Sequence, residues 1–432
     1  MKSNELPKVL VVDVNAWRED APSNTLLDIF RCWDSNKLAV VYTSSVFPAT
    51  NVSKHFFQIG ETQVLQSVLR PWIKVGRRVD SNDVAKDNAQ DIEQALRNIS
   101  HGSRTKWMRI AREFVWKFGH WKTTALRDFI DDFDPDVLFV PIFPYAYMGR
   151  LQKYIVNYTA KPMVCYLADD NYSFDACVTV IDYIVRFWNR KYVRYLAKSC
   201  SEMFVIIDKE KEDTDAQFGT DSVILTKSVD FSGKIFTPQH HHTPIRFVYT
   251  GSLAIGRDNT LTMLADAINR INRELEYTAA ELFIYSQTRP NQKILKHLDV
   301  GSSHFCGMIS HQKIETILKE ADVVVFAESL SGKQANVAKL SFSTKLTDYL
   351  SNAKCILAIG KQSIAPIDYL KRNNAAIIAS SASDIYRQVK IIISNPVLVN
   401  EYAENAFKCA VINHNKENMS QRFIATMCRA AK

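Results

Sequence analysis

The chain has 432 residues, a formal net charge of +8, 47% hydrophobic and 23% charged residues. That composition supplies apolar material for two cores of roughly 100–200 residues each and excludes wholesale disorder. The basic balance points to anionic partners: phosphates, an anionic membrane surface or nucleic acid. Eight cysteines without a CxxC pair read as buried, reduced thiols.

In chain order, MKSNELPKVLVVDVN carries too short an apolar run for a signal peptide, and no window reaches the roughly 18 apolar residues of a spanning helix. The expectation is a cytoplasmic protein, at most peripheral on the inner face of a membrane. Residues 8–14 (KVLVVDV) read as a buried strand, followed by strands at 38–43, 136–141, 163–168 and 203–207. The second half repeats the pattern at 246–250, 281–286, 322–327, 355–359 and 376–379. Short continuous apolar strands alternating with helical patterns predict an α/β chain of two Rossmann-like, doubly wound parallel-sheet domains. The segment GKIFTPQHHHTP (233–244) reads as a linker. The expected division is 1–240, 241–400 and a C-terminal helical segment, 401–432, packing back toward the first domain. Ligands of such sheets bind at the carboxyl ends of the strands, so an interdomain cleft is expected.

Two basic, aromatic segments fall in the first half. Residues 101–127 carry Arg109, Arg112, Lys117 and Lys122 interleaved with Trp116 and Trp121; residues 183–198 hold five basic residues and no acid. Such helices suit an anionic membrane interface or an acceptor held there. The alternative is a helix whose aromatics enter the core while its cations are solvated. Asp131, Asp132, Asp134 and Asp136 read as solvated turn residues, and no metal-binding motif is expected. At the end of the strand in PMVCYLADDNYSF (162–174), Asp169 and Asp170 are adjacent carboxylates whose repulsion suits a general base; loop or helix-capping aspartates are the alternative.

In FSTKLTDYL (342–350), Leu346, Tyr349 and Leu350 share one face of a helix. Ser341 or Ser343 can cap it. The first-turn N–H groups at Ser343, Thr344 and Lys345 then form a phosphate-binding terminus, with Asp348 one turn in. Upstream, YTGSLAIGRDNTL (249–261) sets Gly251 and Arg257 between a strand and a helix. FCGMIS (305–310) and ADVVVFAES (321–329) follow.

This order of segments resembles the donor-binding half of a GT-B glycosyltransferase, nearest glycosyltransferase family 4, over most of 245–410. The resemblance implies transfer of a sugar from a nucleotide-diphosphate sugar to a glycan or polyprenyl-linked acceptor in polysaccharide biosynthesis, with retained configuration and no cofactor. Because the sequence offers no convincing Asp-x-Asp-type motif, metal independence is expected. It implies that Gly251, Ser252 and Arg257 line the diphosphate loop and that Met308 and Ile309 flank the nucleobase. Ser343, Thr344 and Lys345 then meet the diphosphate, and Asp348 meets the ribose. The chain departs from the family at Asp348, usually glutamate; at Leu340, where an earlier glutamate is usual; and at Ser252, often basic. Glu328 is out of register with that glutamate by an insertion at 329–341. Glycine is missing from 15–24. Other classes compatible with the sequence are a nucleotide-sugar 2-epimerase of the same architecture and a basic nucleic-acid-binding protein. No helix-turn-helix, zinc-finger or RNP pattern supports the latter.

Overall fold

The computed structural model describes residues 6–19, 25–79 and 103–432, with backbone alone at 103–106, 311 and 312. Residues 20–24 of the first strand's exit, and positions 101 and 102 of the basic segment, lie outside the described residues. The chain divides into two units. One comprises residues 1–206, 210–225 and 420–432; the other comprises 207–209 and 226–419.

The first unit is built on an eight-stranded sheet. Its strands are β1 (Val9–Asp13), β2 (Leu38–Tyr42), β3 (His55–Gln58), β4 (Arg77–Val79), β5 (Val137–Pro141), β6 (Met163–Leu167), β7 (Glu202–Val205) and β8 (Val223–Ile224). Their spatial order is β4-β3-β2-β1-β5-β6-β7-β8. All neighbours are parallel except the edge pair β3 and β4. The chain winds outward from β1, then returns to lay β5 on its other side, in register Val9 with Val137. Because both faces are covered, alternate residues of β1 enter different cores. Leu10 and Val12 join Trp116, Trp121 and Tyr147, whereas Val9 and Val11 join Trp17, Phe30 and Phe423. That is why the strand reads as a continuous apolar run.

Phe423 comes from the far end of the chain. Its ring meets Phe30 at 4.9 Å, Trp33 at 5.5 Å and Phe204 at 5.8 Å. It is fully buried, which is worth roughly 1.5–3 kcal/mol of hydrophobic stabilisation.

The second unit has six parallel strands: β9 (Ile245–Thr250), β10 (Ala280–Tyr285), β11 (Ser303–Gly307), β12 (Val323–Ala327), β13 (Cys355–Ile359) and β14 (Ile377–Ala379). The order is β11-β10-β9-β12-β13-β14. Relabelled by appearance this is 3-2-1-4-5-6, the doubly wound order whose crevice opens where the winding reverses. Here the reversal falls between β9 and β12, which pair through Phe247 and Val323.

Candidate functional site

At the reversal point of the second unit, β9 ends in Thr250 and β12 runs out into Glu328. Gly251 turns the chain away from β9. A Cβ there would lie 2.7 Å from the Tyr249 hydroxyl and 3.1 Å from Lys345 Nζ, so glycine lets the Tyr249 ring and the Lys345 head both approach this backbone. Tyr249 fixes the turn by donating its O–H to Ser252 O at 2.7 Å.

Gly256, with φ of +76°, precedes the helix Arg257–Leu275. A Cβ on it would meet the Gln334 side-chain oxygen at 2.2 Å and Ser329 Oγ at 2.6 Å. The turn aims Arg257 at Glu328: Nη2 donates to Oε1 at 2.8 Å and Nε to Oε2 at 3.0 Å. This is the two-pronged guanidinium–carboxylate geometry that fixes orientation as well as charge. Burial pushes the Glu328 carboxyl up, and the Arg257 charge opposes it.

The helix Thr344–Ser351 buries Leu346, Thr347, Tyr349 and Leu350. Ser343 occupies its N-cap position without a side-chain capping bond, so the first-turn N–H groups keep their capacity to bind an anion. Tyr349, buried, meets Thr250 Oγ1 at 2.9 Å and donates to Thr250 O at 3.2 Å. It thereby anchors the helix to the end of β9. Lys345 Nζ donates to the same carbonyl at 3.2 Å. Burial, reinforced by the positive charge of Arg257, lowers the Lys345 pKa from its ordinary value. Glu328 and Asp348 offset part of the repulsion between Arg257 and Lys345, and an added negative charge would offset more of it.

The structure thus brings Gly251, Ser252, Arg257, Thr344 and Lys345 to one end of β9 and adds Glu328. Asp348 lies one turn along the helix, and its Oδ1 receives Lys227 Nζ at 2.6 Å. Met308 and Ile309 follow Gly307 at the same end of the sheet, at the tip of edge strand β11, two strands from β9. Met308 is exposed and Ile309 half-buried.

In the first unit, Asp169 and Asp170 follow β6 but differ in environment. Asp169 is exposed. Asp170 is committed to its own loop, accepting from Tyr172 N at 3.1 Å, from Ser173 N at 2.8 Å and from Ser173 Oγ. Arg186 lies 3.5 Å from its Oδ1 and donates to its carbonyl at 2.5 Å. Glu210 was not singled out in the sequence, because DKEKEDTD looks like a solvated acidic turn. The fold buries it fully; Oε2 accepts from Ile206 N at 3.1 Å and Oε1 has no partner. Burial, with Asp169 and Asp170 adding like charge, holds its carboxyl well above the usual range. Asp13, at the end of β1, was likewise hidden in an apolar run. It accepts from Trp17 Nε1 at 2.9 Å, and burial raises its pKa.

Two expected surface residues are interior. Trp116 is 1% exposed and Trp121 2%. Trp116 stacks on Tyr147 at 4.8 Å, and Trp121 donates to Trp116 O at 2.8 Å. The apolar area of an indole is better used in the core once a helix offers that face. Arg109 pairs with Asp182 at 2.8 Å and Arg112 with Glu61. Lys117 lies over Phe118 and Lys122 over Trp121, both heads exposed. Among the described residues no group of three or more His, Cys, Asp or Glu side chains is arranged to hold a metal ion. Nor is any helix there long and apolar enough to cross a membrane.

No family model matches the sequence, and no curated protein matches it. Solved structures do. HepE of Anabaena in complex with UDP superposes with a TM-score of 0.61 at 9% identity, over 97% of this chain and 99% of that one. The chain has the GT-B fold. Two further GT-B structures match over nearly their whole lengths. Sucrose-phosphate synthase from Thermosynechococcus elongatus has a TM-score of 0.57 at 10% identity, covering 96% of each chain. Trehalose 6-phosphate synthase from Burkholderia multivorans has a TM-score of 0.56 at 8% identity, covering 98% of each.

Proposed function

We propose that the protein is a glycosyltransferase that moves a sugar from a nucleotide-diphosphate sugar to a glycan or polyprenyl-linked acceptor. The observation that carries this reading is the pair of cations, Arg257 and Lys345, gathered beside an uncapped helix terminus at the reversal point of the second sheet. HepE binds UDP and UDP-glucose in its crystal structures, which supports a nucleoside diphosphate as the bound anion.

In this reading the diphosphate lies against the first turn of the helix Thr344–Ser351. Lys345 and Arg257 neutralise the charge that grows on it as the bond between the anomeric carbon and the phosphate oxygen breaks. Such preorganised charge acts most strongly in the transition state, when the leaving group carries its full negative charge. Two fixed cations perform the task that a divalent ion performs elsewhere, so activity without added metal is expected. The acceptor oxygen bonds to the anomeric carbon from the face the diphosphate leaves, retaining configuration. Its proton passes to the departing phosphate oxygen or to Asp169, the proposed base. Asp170 is then a positioning residue that shapes the Asp169 loop. Asp348 holds the ribose hydroxyls.

Thermal melting with UDP, GDP, CMP and their sugars tests the reading. At least one nucleoside diphosphate should raise the melting temperature of the wild type, and Arg257→Ala and Lys345→Ala should abolish the rise while remaining folded. Indifference of the wild type to all of these compounds, or an undiminished rise in both variants, would overturn it.

A further inference from the structure

A globular helix normally turns one apolar stripe to the core and a polar face to water. Two neighbouring helices of the first unit break this rule. In Ser103–Phe118 the core side carries Glu113 and Trp116, both buried. On the solvent side Trp107, Phe114 and Phe118 recur with Ala111 at helical spacing, and Trp107 is 67% exposed and Phe118 57%. In Val180–Ser199, Val180, Ile184 and Phe187 form a second exposed stripe, Phe187 at 69%. The same line continues as Lys191, Arg194 and Lys198. The stripes belong to one surface: Phe114 meets Trp188 edge-on at 5.9 Å, and Arg109 joins Asp182 at 2.8 Å.

The exposed charge on this surface is basic: Lys117, Lys191, Arg194 and Lys198 face solvent, while Arg109, Arg112 and Arg186 are paired with Asp182, Glu61 and Asp170. The two helix sequences hold ten basic residues against two acids, Glu113 and Asp182. Their excess equals the +8 of the entire chain. Neither acid is presented on this face: Asp182 is paired with Arg109, and Glu113 is buried, 3.9 Å from Arg150.

We propose that this two-helix face docks on an anionic lipid bilayer, with Trp107, Phe114, Phe118 and Phe187 entering the headgroup boundary and the lysines meeting lipid phosphates. Exposed aromatics flanked by Lys and Arg are the composition that suits this interface. A second copy of the chain is disfavoured as occupant, because self-complementary pairing would press two like-charged faces together. Nucleic acid is disfavoured because Val180, Ile184 and Phe187 add apolar area that a phosphate backbone does not reward.

Lipid docking by this face is independent of donor chemistry and is measured without turnover. The full chain is floated with phosphatidylcholine vesicles containing about one third phosphatidylglycerol, and with phosphatidylcholine alone. Binding should be confined to the anionic vesicles and weaken with salt. The double variants Phe118→Ser/Phe187→Ser and Lys117→Glu/Lys191→Glu should each reduce it at least about tenfold. Their melting temperatures, and any shift produced by nucleoside diphosphates, should match the wild type. Equal binding to neutral and anionic vesicles, or unreduced binding by both variants, would refute the proposal. So would a face that these variants show to serve double-stranded DNA or self-association while the vesicles remain unbound.

Discussion

Lys227 Nζ donates to Asp348 Oδ1 at 2.6 Å, and the backbone carbonyl of Lys227 is itself held by His414 Nδ1 at 3.1 Å. The carboxylate proposed for the ribose is therefore engaged, and its partner is fixed at the main chain. The pair is partly exposed, so its net worth is at most about 1 kcal/mol, within reach of competition from a diol.

Ribose recognition can accordingly be read as a difference between ligands. Asp348→Ala should weaken binding of the cognate nucleoside diphosphate about tenfold, the loss of hydrogen bonds to a charged acceptor. The 2′,3′-dideoxy analogue should be affected less than about twofold. Lys227→Met should leave Asp348 uncontested and tighten the ribonucleotide up to a few fold. Calorimetric titration of both ligands checks this; equal losses for the two would remove Asp348 from the ribose.

Glu328 should matter through Arg257. Glu328→Ala leaves a half-buried guanidinium without its carboxylate and should cost about 2 kcal/mol of stability in denaturant titration, discounted for the partial exposure of Arg257. Part of that loss should return when a nucleoside diphosphate supplies the missing negative charge. Loss of stability without such rescue would place the pair in the scaffold alone.

His414 sets an acid limit. Its Nδ1–H donates to Lys227 O and its Nε2 accepts from Tyr369 Oη at 3.0 Å, which fixes the neutral tautomer. Burial drives its pKa down to about 4, against about 6.5 in an unfolded chain. The unfolded state thus binds the proton first. The stability His414 contributes is complete above pH ~6.5 and is lost as pH falls toward ~4, on the order of 3 kcal/mol. Denaturation midpoints between these pH values should fall more steeply in the wild type than in His414→Gln.

Glu210 works in the opposite sense. Its folded pKa is raised, so its contribution is complete below the unfolded value near ~4.3 and declines as pH rises through the folded value. Glu210→Gln keeps an oxygen for Ile206 N–H and removes the ionisation. It should stabilise the protein by about 1 kcal/mol or more at pH ~8 and change little at pH ~4. Asp169, Asp170, Asp213 and Tyr166 surround the group electrostatically. A pH-independent effect would assign Glu210 a packing role only.

The ten strands read from the sequence are the inner strands and their near neighbours, where both faces are covered and Val, Ile and Leu run uninterrupted. β3, β4, β8 and β11 went unread. HFFQ, RRV, VI and SHFCG are edge or near-edge strands, short, and mixed with His, Gln, Arg and Gly. A strand with one neighbour needs less apolar sequence, so its signal is weaker. The residues gathered at the end of β9 were legible for a related reason: Gly251, Arg257 and Lys345 sit where strand pattern gives way to helix pattern. Glu328 was legible as a residue but not as a partner, since its pairing with Arg257 spans 71 positions. Glu210 and Asp13 gave no sign, because burial of an acid is decided by tertiary packing. Trp116 and Phe114 differ by two positions, about 200° around a helix, and one is buried while the other is exposed. Composition marked the helix as basic and aromatic, and only the fold says which rings face water.

Phe423 completes the core around Phe30 and Phe204, although it is made some two hundred residues after the last strand of that sheet. During synthesis the N-terminal lobe therefore waits on the ribosome with one wall of its interior open until residues 420–432 emerge. Cells that stall or clip translation late would release a chain whose defect lies in its oldest part.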